Sequence, residues 1–375
     1  MTYFASHPAA RWALPVAAVA LIGGTTLALN RTAYADAGLP ARTAAQLLAD
    51  VQHAQVEGLS GTVVQTADLG LPQVPGAAKP GGGQASLTSL VSGTHTWRVW
   101  FSGPDQQRLA LVGALGESDV IRNGSDVWVW SSTDKTAVHS KLPAHAGTPA
   151  PAPDRSALPR TPDEAARLAL DAMSPTTQVT TSGTAVVAGR DAYELVLAPR
   201  DRTTRVAQVR IAIDAEKHLP LRVQVYSTKA GNPAFEVGFT AVDFARPDAR
   251  QFAFNPPPGT AVTESGALKA GGGTNPAPST GSVPPVDAAS RPRVVGTGWS
   301  SVVVAKLPAL PAQASGSSAE RQLDGVLRAL PRASGSWGSG RVLDGTLVSA
   351  VVSDDGRVAI GAVGPDQLYA ALAAR

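Results

Sequence analysis

No cysteine occurs anywhere in the 375 residues. That absence excludes a disulfide framework, a thiolate metal site and a thiol nucleophile together. It also excludes a lipid-modified N-terminal cysteine, so any membrane tether would have to use hydrophobic residues. Charge is sparse as well: Asp, Glu, Lys and Arg make up only 16% of the chain. The formal net charge is +3, and it falls to +1 without Arg11 and Arg31 near the N-terminus. A nucleic-acid-binding domain carries a basic stripe. None is present, and nucleic acid is not an expected partner.

Catalytic patterns are missing too. There is no G-x-S-x-G. Gly296-Thr297-Gly298 lacks the third glycine of a dinucleotide loop, and Gly338-Ser339-Gly340 runs into a strand rather than a helix. His139 and His145 flank a Pro-rich loop with no carboxylate motif beside them, and metal ligands need convergent partners. They read as exposed loop histidines. His53, on the polar side of a short helix, and His218, in a turn, read as surface. Asp243 and Asp248 stand apart from any second acid at the spacing of a catalytic pair. The expectation is a non-enzyme with no catalytic residue, no metal ligand and no cofactor.

What is present begins with targeting. Arg11 precedes an apolar run over residues 13–29, broken only by Pro15, Gly23-Gly24 and Thr25-Thr26. Ala33-Tyr34-Ala35 then offers an A-x-A cleavage site before Asp36. Residues 1–35 therefore read as a signal peptide, with an uncleaved membrane anchor as the alternative. The run is a little short for a span of about 20 residues, which favours cleavage. Either way the rest of the chain is expected to be extracytoplasmic, in the cell envelope.

Beyond this segment the chain reads as strands with occasional helices. Thr43-Ala44-Ala45-Gln46 is a capping box before a helical stripe of Leu47, Leu48, Val51 and Ala54. A strand is expected over 62–68, then a long Gly/Pro-rich loop over 71–93. Four or five strands follow, over 96–101, 108–112, 118–122, 127–131 and 136–140, with Asn123-Gly124 as a hairpin turn. A Pro/Ala linker covers 142–160, and Thr161-Pro162-Asp163-Glu164 starts a second capped helix. Residues 185–262 then alternate with period two, as strands with one dry and one wetter face do. Tyr193, Leu195 and Leu197 mark one such face, as do Val209, Ile211 and Ile213, and Leu221, Val223 and Val225. This run is expected to be one antiparallel unit that includes the segment from Phe252 to Val262.

Residues 265–294 read as a linker by composition. A small α+β unit is expected over 295–375, with a strand at 300–304 and a helix from Ser317 to Leu330. A hairpin over Asp354-Asp355-Gly356 and a terminal helix from Pro365 complete it. The fold class is α+β: a curved antiparallel half-barrel sheet covered by helices over 41–264, plus the small C-terminal domain.

The aromatic residues are few but concentrated. Trp97, Val99 and Phe101 share one face of their strand, with Arg98 and Trp100 on the other. Trp128 and Trp130 share a face opposite Val127 and Val129. Core packing beneath helices explains such residues in one reading. In the other, Trp97, Val99, Phe101, Leu109, Leu111, Trp128, Trp130, Leu195, Leu197, Ile211 and Ile213 line a cavity for an apolar ligand. The 71–93 loop would be its lid, because an uncovered apolar surface invites aggregation.

Four motifs carry a family resemblance. They are Asn123-Gly124-Ser125-Asp126-Val127-Trp128-Val129-Trp130, Gly189-x3-Tyr193-x-Leu195-x-Leu197, Ile211-x-Ile213-Asp214 with Leu219-Pro220-Leu221-Arg222, and Phe252-x-Phe254-x-Pro256-Pro257-Pro258-Gly259. In this order they resemble the LolA/RseB superfamily over residues 41–264. That group holds lipoprotein carriers and the sigma-E regulatory proteins called RseB or MucB. The resemblance implies an incomplete barrel closed by helices around an apolar cavity. It implies lipid or lipoprotein acyl chains as ligands and, on the regulatory side, a membrane anti-sigma factor as a partner. The small second domain, with Gly361-Ala362-Val363-Gly364-Pro365 as its best match, favours the RseB layout.

Overall fold

In the computed structural model of the chain, residues 39–70, 92–114, 116–142, 170, 173–265, 292–306, 325 and 327–374 are described. The expected signal peptide or anchor, most of the 71–93 loop, the 142–160 linker and nearly all of the helix from Thr161 lie outside them. So do most of the 265–294 linker and the helix from Ser317 as far as residue 324.

The Thr43 capping box forms as expected. The Thr43 hydroxyl accepts from the Gln46 backbone N–H, and the Gln46 side chain accepts from the Thr43 N–H. Two otherwise unpaired donors are satisfied, and helix α1 (Ala44–His53) begins there. It packs against one end of a twelve-stranded sheet. That sheet contains β1 (Leu59–Ala67), β2 (Gly93–Phe101), β3 (Gln106–Gly113), β4 (Gly116–Asn123), β5 (Asp126–Ser131) and β6 (Thr136–Lys141). The remaining strands are β7 (Thr177–Val187), β8 (Arg190–Pro199), β9 (Val206–Asp214), β10 (Pro220–Ser227), β11 (Pro233–Asp243) and β12 (Ala261–Ser265). Across the sheet their order is β12-β6-β5-β4-β3-β2-β1-β11-β10-β9-β8-β7. The sheet is open rather than closed into a barrel.

Turn chemistry fixes the hairpins. Gly124 takes a φ of +63° between β4 and β5, as the Asn-Gly turn requires. The β7–β8 turn is made by Ala188 and Gly189, with φ of +51° and +76°. Strand β7 itself begins at Thr177, well before the expected start of the run.

One expectation fails at the far end. The stretch from Phe252 to Val262 does not extend the antiparallel unit. A 3-10 turn (Ala249–Phe252) ends it, and the chain crosses to the opposite edge, where β12 pairs with β6 in parallel. Pro256, Pro257 and Pro258 have no N–H to offer a ladder, so this stretch links rather than pairs.

The second unit is a six-stranded sheet with a helix on it. Its strands are β13 (Arg293–Val295), β14 (Val302–Lys306), β15 (Arg332–Gly335), β16 (Gly338–Asp344), β17 (Ser349–Ser353) and β18 (Arg357–Gly361). Helix α2 (Pro365–Ala373) buries Leu368, Ala371 and Leu372 against Val302, Val351 and Ala359. Strand β13 lies partly inside the stretch read as linker, because Arg293 pairs with Val304.

The two sheets meet through a built interface. Leu347 packs with Val206 and Ala234, flanked by Leu69, Trp299 and Ala362. The Arg205 N–H donates to the Ala362 carbonyl, and the Thr346 N–H donates to the Leu69 carbonyl. Any movement of one sheet against the other would have to break these contacts.

Candidate functional site

Register decides which side chains share a surface, because cross-strand partners and every second residue along a strand lie on one face. Val63 of β1 faces Trp97 of β2, which faces Leu111 of β3. Two residues along, Gly61, Val99, Leu109, Val120, Val129 and Val138 form a second row from β1 to β6. In the other direction Gln65 faces Val237, and the row continues through Val223 and Ile211 to Leu195. Leu197 and Val209 form the next pair, and Ile213 faces Tyr193. Phe101 faces Leu59 and Gln107 on the same side.

Nine of the eleven expected cavity residues therefore share one face. Trp97 and Leu111 are buried with Val63 and Val237, with Val99 and Leu109 half-buried beside them. Leu195 and Ile213 are buried under Leu47 of α1, flanked by Leu197 and Ile211. Phe101 is half-buried at the end of β2. The apolar surface does not stop where the burial does. Val120, Val129 and Val138 continue it, with relative exposures of 46%, 49% and 38%.

Trp128 and Trp130 do not join this group. The alternation that sends Val127 and Val129 to the two faces in turn puts Val129 on the helix-bearing one and both tryptophans on the far one. There Trp128 stacks on His139, and both tryptophans tilt against Phe254, at ring-centroid distances of 5.2 and 5.8 Å. His139 is accordingly not a loop histidine. It lies on β6, nearly covered, with Nε2 2.8 Å from Asp126 Oδ1 and Nδ1 2.8 Å from Glu264 Oε2. The Asp126 bond, followed by the Glu264 bond, raises its pKa above 6.5.

The far face carries charged groups as well, alongside apolar residues such as Ala192, Ala212 and the exposed Val112. The Arg98 and Arg108 guanidiniums lie 5.2 and 5.1 Å from the Trp100 ring centroid, on cation–π terms. Burial, together with Glu117, pushes the Asp119 carboxyl up to about 7 although Arg108 pairs with it. A shallow cleft of about 250 Å³ opens on this side, lined by Ser60, Thr62, Arg98, Trp100 and Asp243 among others. None of the eleven residues lines it, although the backbone of Gly61 from the second row borders it. Asp243 is spent on the Ala245 N–H, and Asp248 caps the 3-10 turn through the Arg250 N–H. Neither faces a second acid. Among the described residues, no three His, Asp or Glu side chains are placed to hold a metal, and no helix is long and apolar enough to cross a membrane.

Several residues of the apolar face were not among the eleven expected cavity residues: Val63, Val120, Val129, Val138, Val223 and Val237. Alternation along their strands was the available signal. Gln65 gave none, since a polar residue on an apolar face breaks the pattern. It is 1% exposed, and neither atom of its amide has a hydrogen-bond partner. Trp97 Nε1 is also buried without a partner. An unpaired buried group of this kind costs about 1–3 kcal/mol.

Residues 89–252 match the family model described as the MucB/RseB N-terminal domain. No curated protein sequence matches at comparable significance. Among solved structures, the Pseudomonas aeruginosa MucA/MucB complex is 17% identical over 87% of this chain and 94% of that one, with a TM-score of 0.39. An uncharacterized conserved protein from Thermus thermophilus is 13% identical over 58% of this chain and 97% of that one, at 0.33. A LolA superfamily protein from Nitrosomonas europaea is 11% identical over 57% and 99%, at 0.21.

Proposed function

We propose that this chain, a member of the LolA/RseB superfamily through its MucB/RseB N-terminal domain, binds lipid or lipoprotein acyl chains outside the cytoplasmic membrane. The working surface in this reading is the helix-bearing face of the large sheet. Trp97, Val99, Phe101, Leu109, Leu111, Leu195, Leu197, Ile211 and Ile213 contribute to it, while Trp128 and Trp130 support the wall from behind. One observation carries the proposal. A row that is half-buried at Val99 and Leu109 runs out into exposed Val120, Val129 and Val138. A folded protein gains nothing by leaving such a row in water unless something apolar covers it. An acyl chain laid along it gains about 0.8 kcal/mol per buried CH₂. The activity in this reading is binding, carried by apolar contact.

Native mass spectrometry of the protein purified from its own envelope tests this. The expected result is co-purified lipid that detergent removes and an acyl probe replaces. Recovery without lipid, together with a delipidated protein that takes up no acyl probe, would reject it.

A second reading is an envelope-stress regulator that binds the outer segment of a membrane anti-sigma factor. The docked second sheet favours it, because Arg205, Lys229 and Asp344 place paired charges at the junction. MucB has been crystallised with the periplasmic part of MucA. Affinity capture from membranes distinguishes the readings: a regulator retains one single-pass partner, and a carrier does not.

A further inference from the structure

We propose that Gln65 and Trp97 form a polar subsite within the apolar face, and that it takes the carbonyl oxygen of an ester- or amide-linked acyl chain. The inference rests on the acyl-binding reading and adds which chemical group of the ligand is recognised.

The geometry starts from the register. Trp97 faces Val63, and Gln65 follows Val63 by two residues on the same face. Gln65 and Trp97 are thus diagonal neighbours, about 7–8 Å apart at the backbone and within reach of two long side chains. Gln65 is 1% exposed and Trp97 4%. Gln65 Nε2, Gln65 Oε1 and Trp97 Nε1 all lack a hydrogen-bond partner. His95, directly across from Gln65, does not supply one. The surroundings are Val63, Leu111 and Val237, which cannot.

Two of the three unpaired atoms are neutral N–H donors that call for an uncharged acceptor, and Gln65 Oε1 is left for the N–H of an amide-linked chain. A hydrocarbon alone would leave both unpaired, and unpaired buried donors are costly. Burying a charged head group against Val63, Leu111 and Val237 costs more still, because none of them carries a charge. A carbonyl oxygen has two lone pairs and no charge, so it can accept from both donors. The apolar row then provides for the chain. It leads from β1 to Val138 on β6 across five strand spacings, about 24 Å, and ends at the exposed valines.

The test compares a diester phospholipid with its diether analogue, in which the carbonyls are absent, on the full chain. The wild type is expected to bind the diester about tenfold more tightly, the worth of one good buried hydrogen bond. In Gln65→Leu the ratio of the two affinities should fall towards one. Isotope-edited infrared spectra of the wild type with a carbonyl-labelled diester provide a check independent of that variant, the bound carbonyl band moving to lower frequency. Equal affinity for the two lipids, or an unshifted band, overturns the subsite and leaves acyl binding standing. Uptake of neither lipid overturns both.

Discussion

Trp128 lies flat against His139, with ring centroids 4.2 Å apart and planes 17° from parallel. The stack holds the imidazole edge-on between two carboxylates, Asp126 on β5 and Glu264 on β12. Both ring nitrogens can donate only when the ring is protonated. Strand β12 has little else: all five of its residues are exposed, and its one strand neighbour is β6.

Docking of β12 should therefore depend on pH. The folded-state pKa of His139 is raised above 6.5, first by Asp126 and then by Glu264. Its stabilising contribution is complete below the unfolded value and is lost as pH rises through the folded one. Hydrogen exchange at residues 261–265, corrected for intrinsic rates, should show protection that falls as pH rises through that range. His139→Phe keeps a ring against Trp128 and should abolish the dependence. Unchanged protection across the range would contradict the ion-pair account.

Asp214 anchors the β9–β10 turn and is the most fully paired carboxylate of the sheet. Its side chain is fully buried, bonded to Arg190 and to the backbone N–H groups of Glu216 and Lys217. Burial pushes its pKa up, but Arg190 and those N–H groups outweigh it and hold the carboxyl below its ordinary value. Asp214→Ala should cost about 1–3 kcal/mol, because it leaves the Glu216 and Lys217 N–H groups without this acceptor while Arg190, 27% exposed, keeps Glu216. Urea denaturation at neutral pH measures it. The contribution should shrink as pH falls through the lowered pKa.

The junction between the sheets should depend more on Leu347 than on its charges. Asp344 accepts from Arg205 and Lys229, but it is 46% exposed, and exposed pairs contribute about 1 kcal/mol or less. Leu347 is buried among Val206, Ala234 and Leu69. Exchange of the Thr346 and Arg205 amides, both bonded across the junction, reports the docked state. Leu347→Ala should accelerate both strongly and Asp344→Ala only slightly. The reverse order would show that charge holds the domains together.

The strand pattern was legible because period-two alternation and turn residues are local. Every strand from β1 to β6 was anticipated within a few residues, and so was the Thr43 helix start. The path after Phe252 was not, because a parallel pairing of β12 to a strand 125 residues away at His139–Glu264 leaves no local signature. The apolar face was readable in part. Trp97, Leu111, Leu195 and Ile213 announced themselves by size, whereas Val120, Val129 and Val138 matter through register alone. Trp128 and Trp130 drew attention as large aromatics, and only the cross-strand register shows that they face away. Gln65 could not be found from sequence, since its importance lies in having no partner.

The central claim is that binding belongs to one face, and two exposed valines separate the faces. Val129 lies on the helix-bearing face and Val112 on the far one, with exposures of 49% and 40%. Titration of delipidated wild type, Val129→Lys and Val112→Lys with a fluorescent acyl probe tests it most directly. The account predicts that Val129→Lys weakens binding at least about tenfold, the cost of burying or displacing one charge beside an apolar chain, while Val112→Lys matches the wild type. Equal effects of the two substitutions, or no probe uptake by the wild type, would contradict it.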